Sequence, residues 1–173
     1  MNASLANFAR TQDYLPIITG ALLTDLAFIA LNNADILVTS KVLQKWYQLY
    51  TVSAVLCDTF IIVIGIILAR FFYRYVFTSF SLVKFIGLAC AIQIVHDILF
   101  YIFFQSVPRG TSRILDTFKD YAHEVSGYAI LGDSAMMVVA SLLFALLAQQ
   151  SLNTNIIVLI VALYIMPYLI FVR

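Results

Sequence analysis

A chain of 173 residues in which 63% are hydrophobic and only 11% charged, with a mean hydropathy of +0.98, has too little polar surface to cover itself in water. A net charge of +1 offers no basic arm to a nucleic acid and no polybasic patch to select a lipid headgroup, so soluble, nucleic-acid-binding and disordered classes are excluded. The expected solvent is a lipid bilayer, the expected location is multi-pass within it, and the expected fold is an all-α bundle.

In chain order, the opening MNASLANFAR has no basic region followed by an apolar run and a small-residue cleavage site, so no removable signal peptide is expected. Its Asn2-Ala3-Ser4 sequon lies too near the terminus to be expected in use. A spanning helix needs about 20 mostly apolar residues. That ruler predicts five spans, near 14–39, 50–73, 81–105, 125–149 and 154–172. Four is the fallback count, because Asp25, Asn32, Asn33 and Asp35 interrupt the first. Trp46, Tyr47 and Tyr50 before the second span, and Phe71, Phe72, Tyr73 and Tyr75 after it, read as rings seated at the headgroup level. Cys57 and Cys90 fall inside apolar runs with no metal or disulfide spacing and read as small apolar residues.

Between the third and fourth spans, SVPRGTSRILDTFKDYAHEVSG is broken by Pro108 and Gly110 and then resumes a helical period. A single amphipathic interfacial helix is predicted near 112–121. Ile114, Leu115, Phe118, Tyr121 and Ala122 form its apolar face, and Arg113, Asp116, Lys119 and Asp120 its polar one. The spacing allows Asp116 to pair with Arg113 and Lys119. Glu124 closes this interfacial charge set, and Arg109 is placed to reach Asp133 or Asp97. With five spans the termini lie on opposite faces. Lys41, Lys45, Arg109, Arg113, Lys119 and Arg173 fall on the C-terminal face, side B, against Arg10, Arg70, Arg74 and Lys84 on side A, which favours side B as cytoplasmic.

A charge at the centre of a span costs at least about 2.5 to 3.5 kcal/mol and marks a candidate site. Asp25, Asp58, His96, Asp97 and Asp133 are such positions. Counted from side B, Asn32, Asp58, His96, Asp97 and Asp133 share one layer roughly 10 Å inside the span ends, with Asp25 deeper. Cys90, Gln93, His96, Asp97, Tyr101 and Gln105 follow steps of three and four and should face inward, with Gln93 and Tyr101 bonding Asp97. Ser126, Asp133 and Ser141 repeat this on the fourth span, where Gly127, Gly132, Ala135 and Ala140 permit close helix approach. Carboxylates around one imidazole can bind a cation, relay protons, or serve as hydrogen-bonding glue between helices. No ExxH, HExxH, GxSxG or Cys–base arrangement is present, so no metal, cofactor or catalytic residue is assigned.

The stretch Val107-Pro108-Arg109-Gly110, then Asp116, Lys119, Tyr121, Ala122 and Glu124, then Gly132-Asp133-Ser134, resembles a group of small polytopic membrane proteins encoded by large nucleocytoplasmic DNA viruses. The resemblance spans about thirty residues. It implies residence in the inner membrane of a virion or in a host internal membrane, and it brings no catalytic residues with it. The leading expectation is a structural component of a viral or organellar membrane. Its partners would be lipid, other copies of itself, and other membrane or capsid proteins, with no nucleic acid among them. A proton or cation channel or carrier built on the acidic cluster is the alternative, and a membrane-embedded enzyme the third reading.

Overall fold

The computed structural model describes residues 3–36 and 40–171. Asn2, the end of the first predicted span at 37–39 and Arg173 lie outside them. Two short 3-10 turns, Ala3–Ala6 and Thr11–Asp13, precede seven α-helices: α1 Tyr14–Asn33, α2 Lys41–Tyr50, α3 Val52–Val76, α4 Leu82–Ser106, α5 Arg113–Val125, α6 Tyr128–Leu147 and α7 Leu152–Ile170. Five of these are long and apolar enough to cross a membrane: α1 with its leading turn, α3, α4, α6 and α7. The chain is an all-α multi-pass bundle, with no strand among the described residues.

The interface differs from expectation in one respect. Side B carries two amphipathic helices, α2 and α5, where one was predicted. Trp46, Tyr47 and Tyr50 are therefore part of a ten-residue helix of their own instead of headgroup anchors for the second span. Ser40 caps α2 by accepting a hydrogen bond from the Leu43 N–H at 2.9 Å. The junction to α3 is Thr51, at φ 46, where the chain leaves helical space and re-enters it at Val52. Ser126, at φ 51, does the same between α5 and α6. For this reason α5 runs on to Val125, past the predicted end at 121, and α6 begins at Tyr128. Helix α5 packs on α2 and α4, so it turns back across the bundle instead of prolonging α6.

Helices α1, α3, α4 and α6 form the core. Helix α1 packs on α3 and α6, α4 packs on the same two, and α7 lies against α1. Lipid gives helices no hydrophobic reason to associate, so close approach and polar ties decide the arrangement. At Gly20 a Cβ would come within 3.0 Å of the Phe144 amide nitrogen, which places the α1 and α6 backbones in contact. At Gly65 it would come within 2.5 Å of the Met137 methyl, so a larger residue there would have to push the end of that side chain aside.

Arg70 was counted among the side A interfacial charges, but it is fully buried. Its Nε donates to the Leu5 carbonyl at 3.0 Å, and its Nη2 reaches the carbonyls of Asn7 (2.5 Å) and Arg10 (3.1 Å) and the Asp13 carboxylate (2.7 Å). The segment before α1 has carbonyls that no helix satisfies, and the guanidinium of α3 satisfies them. Leu5 is thereby pinned into the core beside Ile66 and Phe85.

Arg70→Met should lower stability in detergent by about 3 to 5 kcal/mol, because it strands a buried carboxylate at Asp13. Amide exchange over residues 5–13 should rise with it. Arg70→Lys should recover only part of the loss, since an ammonium cannot reproduce the fork.

Candidate functional site

The interior acids fall into two groups, each under one interfacial helix. In the first, Asp58 of α3 accepts from the Trp46 indole N–H at 3.0 Å and from the Tyr47 hydroxyl at 2.9 Å. The same hydroxyl lies 3.3 Å from Asp25 of α1, whose other oxygen accepts from Thr59 at 3.3 Å. A phenol has one proton to give and oxygen lone pairs to receive. That proton goes to Asp58, the nearer acid, while the same oxygen stays within reach of Asp25. Burial, reinforced by the two carboxyls, pushes the Tyr47 hydroxyl well above its ordinary range, so it remains a donor. One side chain of an interfacial helix thus joins two spans.

In the second group, Gln93 Nε2 donates to Asp97 at 2.7 Å, and His96 Nδ1 lies 3.1 Å from the same oxygen. The other Asp97 oxygen and the Gln93 carbonyl oxygen are buried without a partner. Asp133 lies within electrostatic reach of both Asp97 and Asp58. Tyr121 of α5 stands over the group, and burial together with Asp133, Asp58, Glu124 and Asp97 raises its hydroxyl far above the usual range. Among the described residues no three His, Cys, Asp or Glu side chains approach closely enough to share one metal ion.

The remaining predicted positions divide. Asn32 is buried, and neither atom of its amide has a partner. Tyr101 does not bond Asp97. It is half exposed on the outer side of α4, edge-on to Phe104, because a step of four from Asp97 carries it past the inner face. Ser141 is buried with its hydroxyl unpaired, and Cys90 points its thiol at the Ser134 carbonyl at 3.7 Å.

At the interface, Arg109 pairs with Asp120 at 2.8 Å, not with Asp97 or Asp133, because both partners face outward beside the turn. Asp116 accepts from the Gly110 N–H at 2.9 Å, where φ of 87 suits glycine alone, and is taken up by that turn instead of the helix-surface pairs. Arg113 stays exposed. Lys119, placed on the polar face by its period, is buried, because its ammonium turns back to the Val107 carbonyl and caps the end of α4. Glu124 leaves its own helix to cap α2: one oxygen accepts from Ser40 and the Val42 N–H, the other from the Lys41 N–H at 3.0 Å.

The two groups are also alike in sequence. Asp25 precedes Ser40 by 15 residues, and Asp97 precedes Ser112 by 15. Thr39-Ser40-Lys41-Val42-Leu43 matches Thr111-Ser112-Arg113-Ile114-Leu115. Thr51-Val52-Ser53-Ala54-Val55-Leu56-Cys57-Asp58-Thr59 matches Ser126-Gly127-Tyr128-Ala129-Ile130-Leu131-Gly132-Asp133-Ser134. Ser112 caps α5 as Ser40 caps α2, accepting from the Leu115 N–H. Span, interfacial helix and span therefore occur twice, as α1-α2-α3 and α4-α5-α6, and α7 follows alone. The contacts repeat accordingly: α1 on α6 answers α4 on α3, and α2 meets α5 between the halves. There Trp46 packs on Phe118, the residue at its own matching position, with centroids 4.9 Å apart. The place that matches Tyr47 holds Lys119, and the phenol nearest the acids of the second half, Tyr121, stands two positions further along α5.

Comparison of the chain with known protein families, with characterised proteins and with solved structures yields no match.

Tyr47→Phe should cost about 1 to 3 kcal/mol by thermal unfolding in detergent, the loss expected when buried carboxyls go without a donor. Burial pulls the Glu124 carboxyl upward, but its bonds from Ser40, Val42 and Lys41 outweigh this and hold it below its ordinary range. A depressed carboxyl stabilises above its unfolded pKa, and that contribution disappears as pH falls through the folded value. Exchange protection of the Lys41 and Val42 amides should therefore drop below about pH 4, and Glu124→Gln should reduce it already at pH 7.

Proposed function

We propose that the chain is a resident structural component of a membrane, whose interior acids fasten two interfacial helices to a bundle of spans. The observation that carries this reading is the Tyr47 hydroxyl shared between Asp25 and Asp58. Asp25 and Asp58 on side B and Arg70 on side A are each engaged in holding segments together. Two amphipathic helices on one face give the protein a broad footing in a single leaflet, as suits a protein that shapes or lines a membrane. In keeping with the viral resemblance of residues 107–134, that membrane is the inner membrane of a virion or the host membrane from which it is drawn.

A second reading, proton or cation carriage, is favoured by one observation: the buried oxygens of Asp97 and Gln93 that have no partner. Acceptors without donors are where a proton or a small cation gains most.

Purified protein in liposomes under a pH or potassium gradient distinguishes the two. The structural reading expects flux equal to empty liposomes between pH 5 and 8. It also expects nearly unchanged thermal stability for Asp97→Asn and a loss of about 1 to 3 kcal/mol for Asp97→Leu. Flux in the wild type that Asp97→Asn or Asp133→Asn abolishes without unfolding would establish carriage instead.

A further inference from the structure

The repeated unit gives each surface of the first half a counterpart in the second, and one pair of counterparts differs sharply. On α1, Leu22, Leu26 and Ile29 are covered, at 5%, 5% and 1% exposure, in one cluster with Leu159, Ala162 and Leu169 of α7, Tyr47 of α2 and Val55 of α3. Their counterparts on α4 are Ile94, Ile98 and Tyr101, at 37%, 47% and 50%. The polar end of the covered seam is Asn33, whose amide donates to the Leu169 carbonyl of α7 at 2.9 Å. Its counterpart is Gln105, exposed at the same depth. The second half thus displays the surface that in the first half receives a transmembrane helix.

We propose that this face of α4 is an interface with a second copy of the chain, α4 against α4 about a twofold axis along the membrane normal. The exposed positions Gly87, Ala91, Ile94, Ile98, Tyr101 and Gln105 follow steps of four and three, the period at which two helices crossing at a small angle keep one seam in contact. A helix paired this way runs parallel to α4, as α7 runs parallel to α1. Gly87 and Ala91 lie one turn apart, and a Cβ at Gly87 would meet nothing within 4 Å, so the backbone there is open to close approach by a neighbour. Helix α7 is not the expected occupant, since its own seam is already used on α1. A symmetric pair of α4 helices also brings each Gln105 amide beside the last turn of its partner, as Asn33 stands beside α7. The inference rests on the fold and the repeat, and is independent of whether the acids carry protons.

The test uses the full chain in phosphatidylcholine liposomes, with Cys57→Ser and Cys90→Ser to remove the native thiols. Single-molecule photobleaching over a range of protein densities should show two-step molecules, and oxidation should cross-link Ala91→Cys. Oxidation should leave Leu163→Cys, on the exposed side of α7, uncross-linked. Gly87→Leu should lower dimer association about tenfold or more. Its thermal unfolding should stay unchanged, because the added side chain meets open space within the single copy. Monomers at every density would overturn the proposal, as would equal cross-linking at Leu163→Cys or a dimer indifferent to Gly87→Leu. The contrast between the two cysteine positions involves no destabilising substitution, so it stands even if Gly87→Leu fails to fold.

Discussion

A carboxyl inside a bilayer has to find its hydrogen-bond donors within the protein, and in this chain the nearest source for Asp58 is the interfacial helix that immediately precedes its own span. Trp46 and Tyr47 supply both of its donors. That requirement fixes where α2 lies, because the helix must bring two rings down to the depth of the acid while Lys41 and Lys45 remain exposed. The position of α2 in turn sets that of α5, through Trp46 on Phe118 and the Glu124 cap. The footing on side B is thus a consequence of polar demand inside the membrane as much as of amphipathic faces meeting lipid.

Side A solves the converse problem. There the unsatisfied groups are backbone carbonyls of a segment too irregular to bond itself, and the donor is a guanidinium lodged in α3. Aromatic rings of Tyr14 and Phe144 lie 5.8 Å from its carbon, so the cation is flanked by faces that tolerate charge. The two ends of α3 therefore carry opposite chemistry, acid toward side B and base toward side A. Both are engaged in holding other parts of the chain.

Length and hydropathy made the five spans legible, since a bilayer demands about 20 apolar residues whatever the tertiary contacts. Asp25, counted as lying deeper than Asp58, shares the Tyr47 hydroxyl with it, because a ring reaching down from α2 spans the difference. Helix α2 was not legible, because its aromatics look like headgroup anchors and nothing in the residue Thr51 announces a left-handed φ. Lys119 and Arg70 were misplaced because a period assigns a face but not the reach of a long side chain. Tyr101 was misplaced because a stripe of polar residues can wrap off the inner face of a helix. The doubling of the unit is present in the residues, but α5 exceeds α2 by three positions, so a comparison at one fixed offset loses register between Ser112 and Ser126.

The clamp at Arg70 also imposes an order on biosynthesis. Asp13 emerges 57 residues before the guanidinium that will neutralise it, an interval of about 3 to 11 s at ordinary rates of translation. During that time its available cation is Arg10, one helical turn away and 3.4 Å from it in the finished protein. A nascent chain whose leading turn carries its own counter-ion can wait at the membrane surface without stranding a bare carboxylate. Arrival of α3 then transfers the acid to a buried partner and draws Leu5 in behind it. The segment before α1, made earlier than α3, is in this scheme locked only after it.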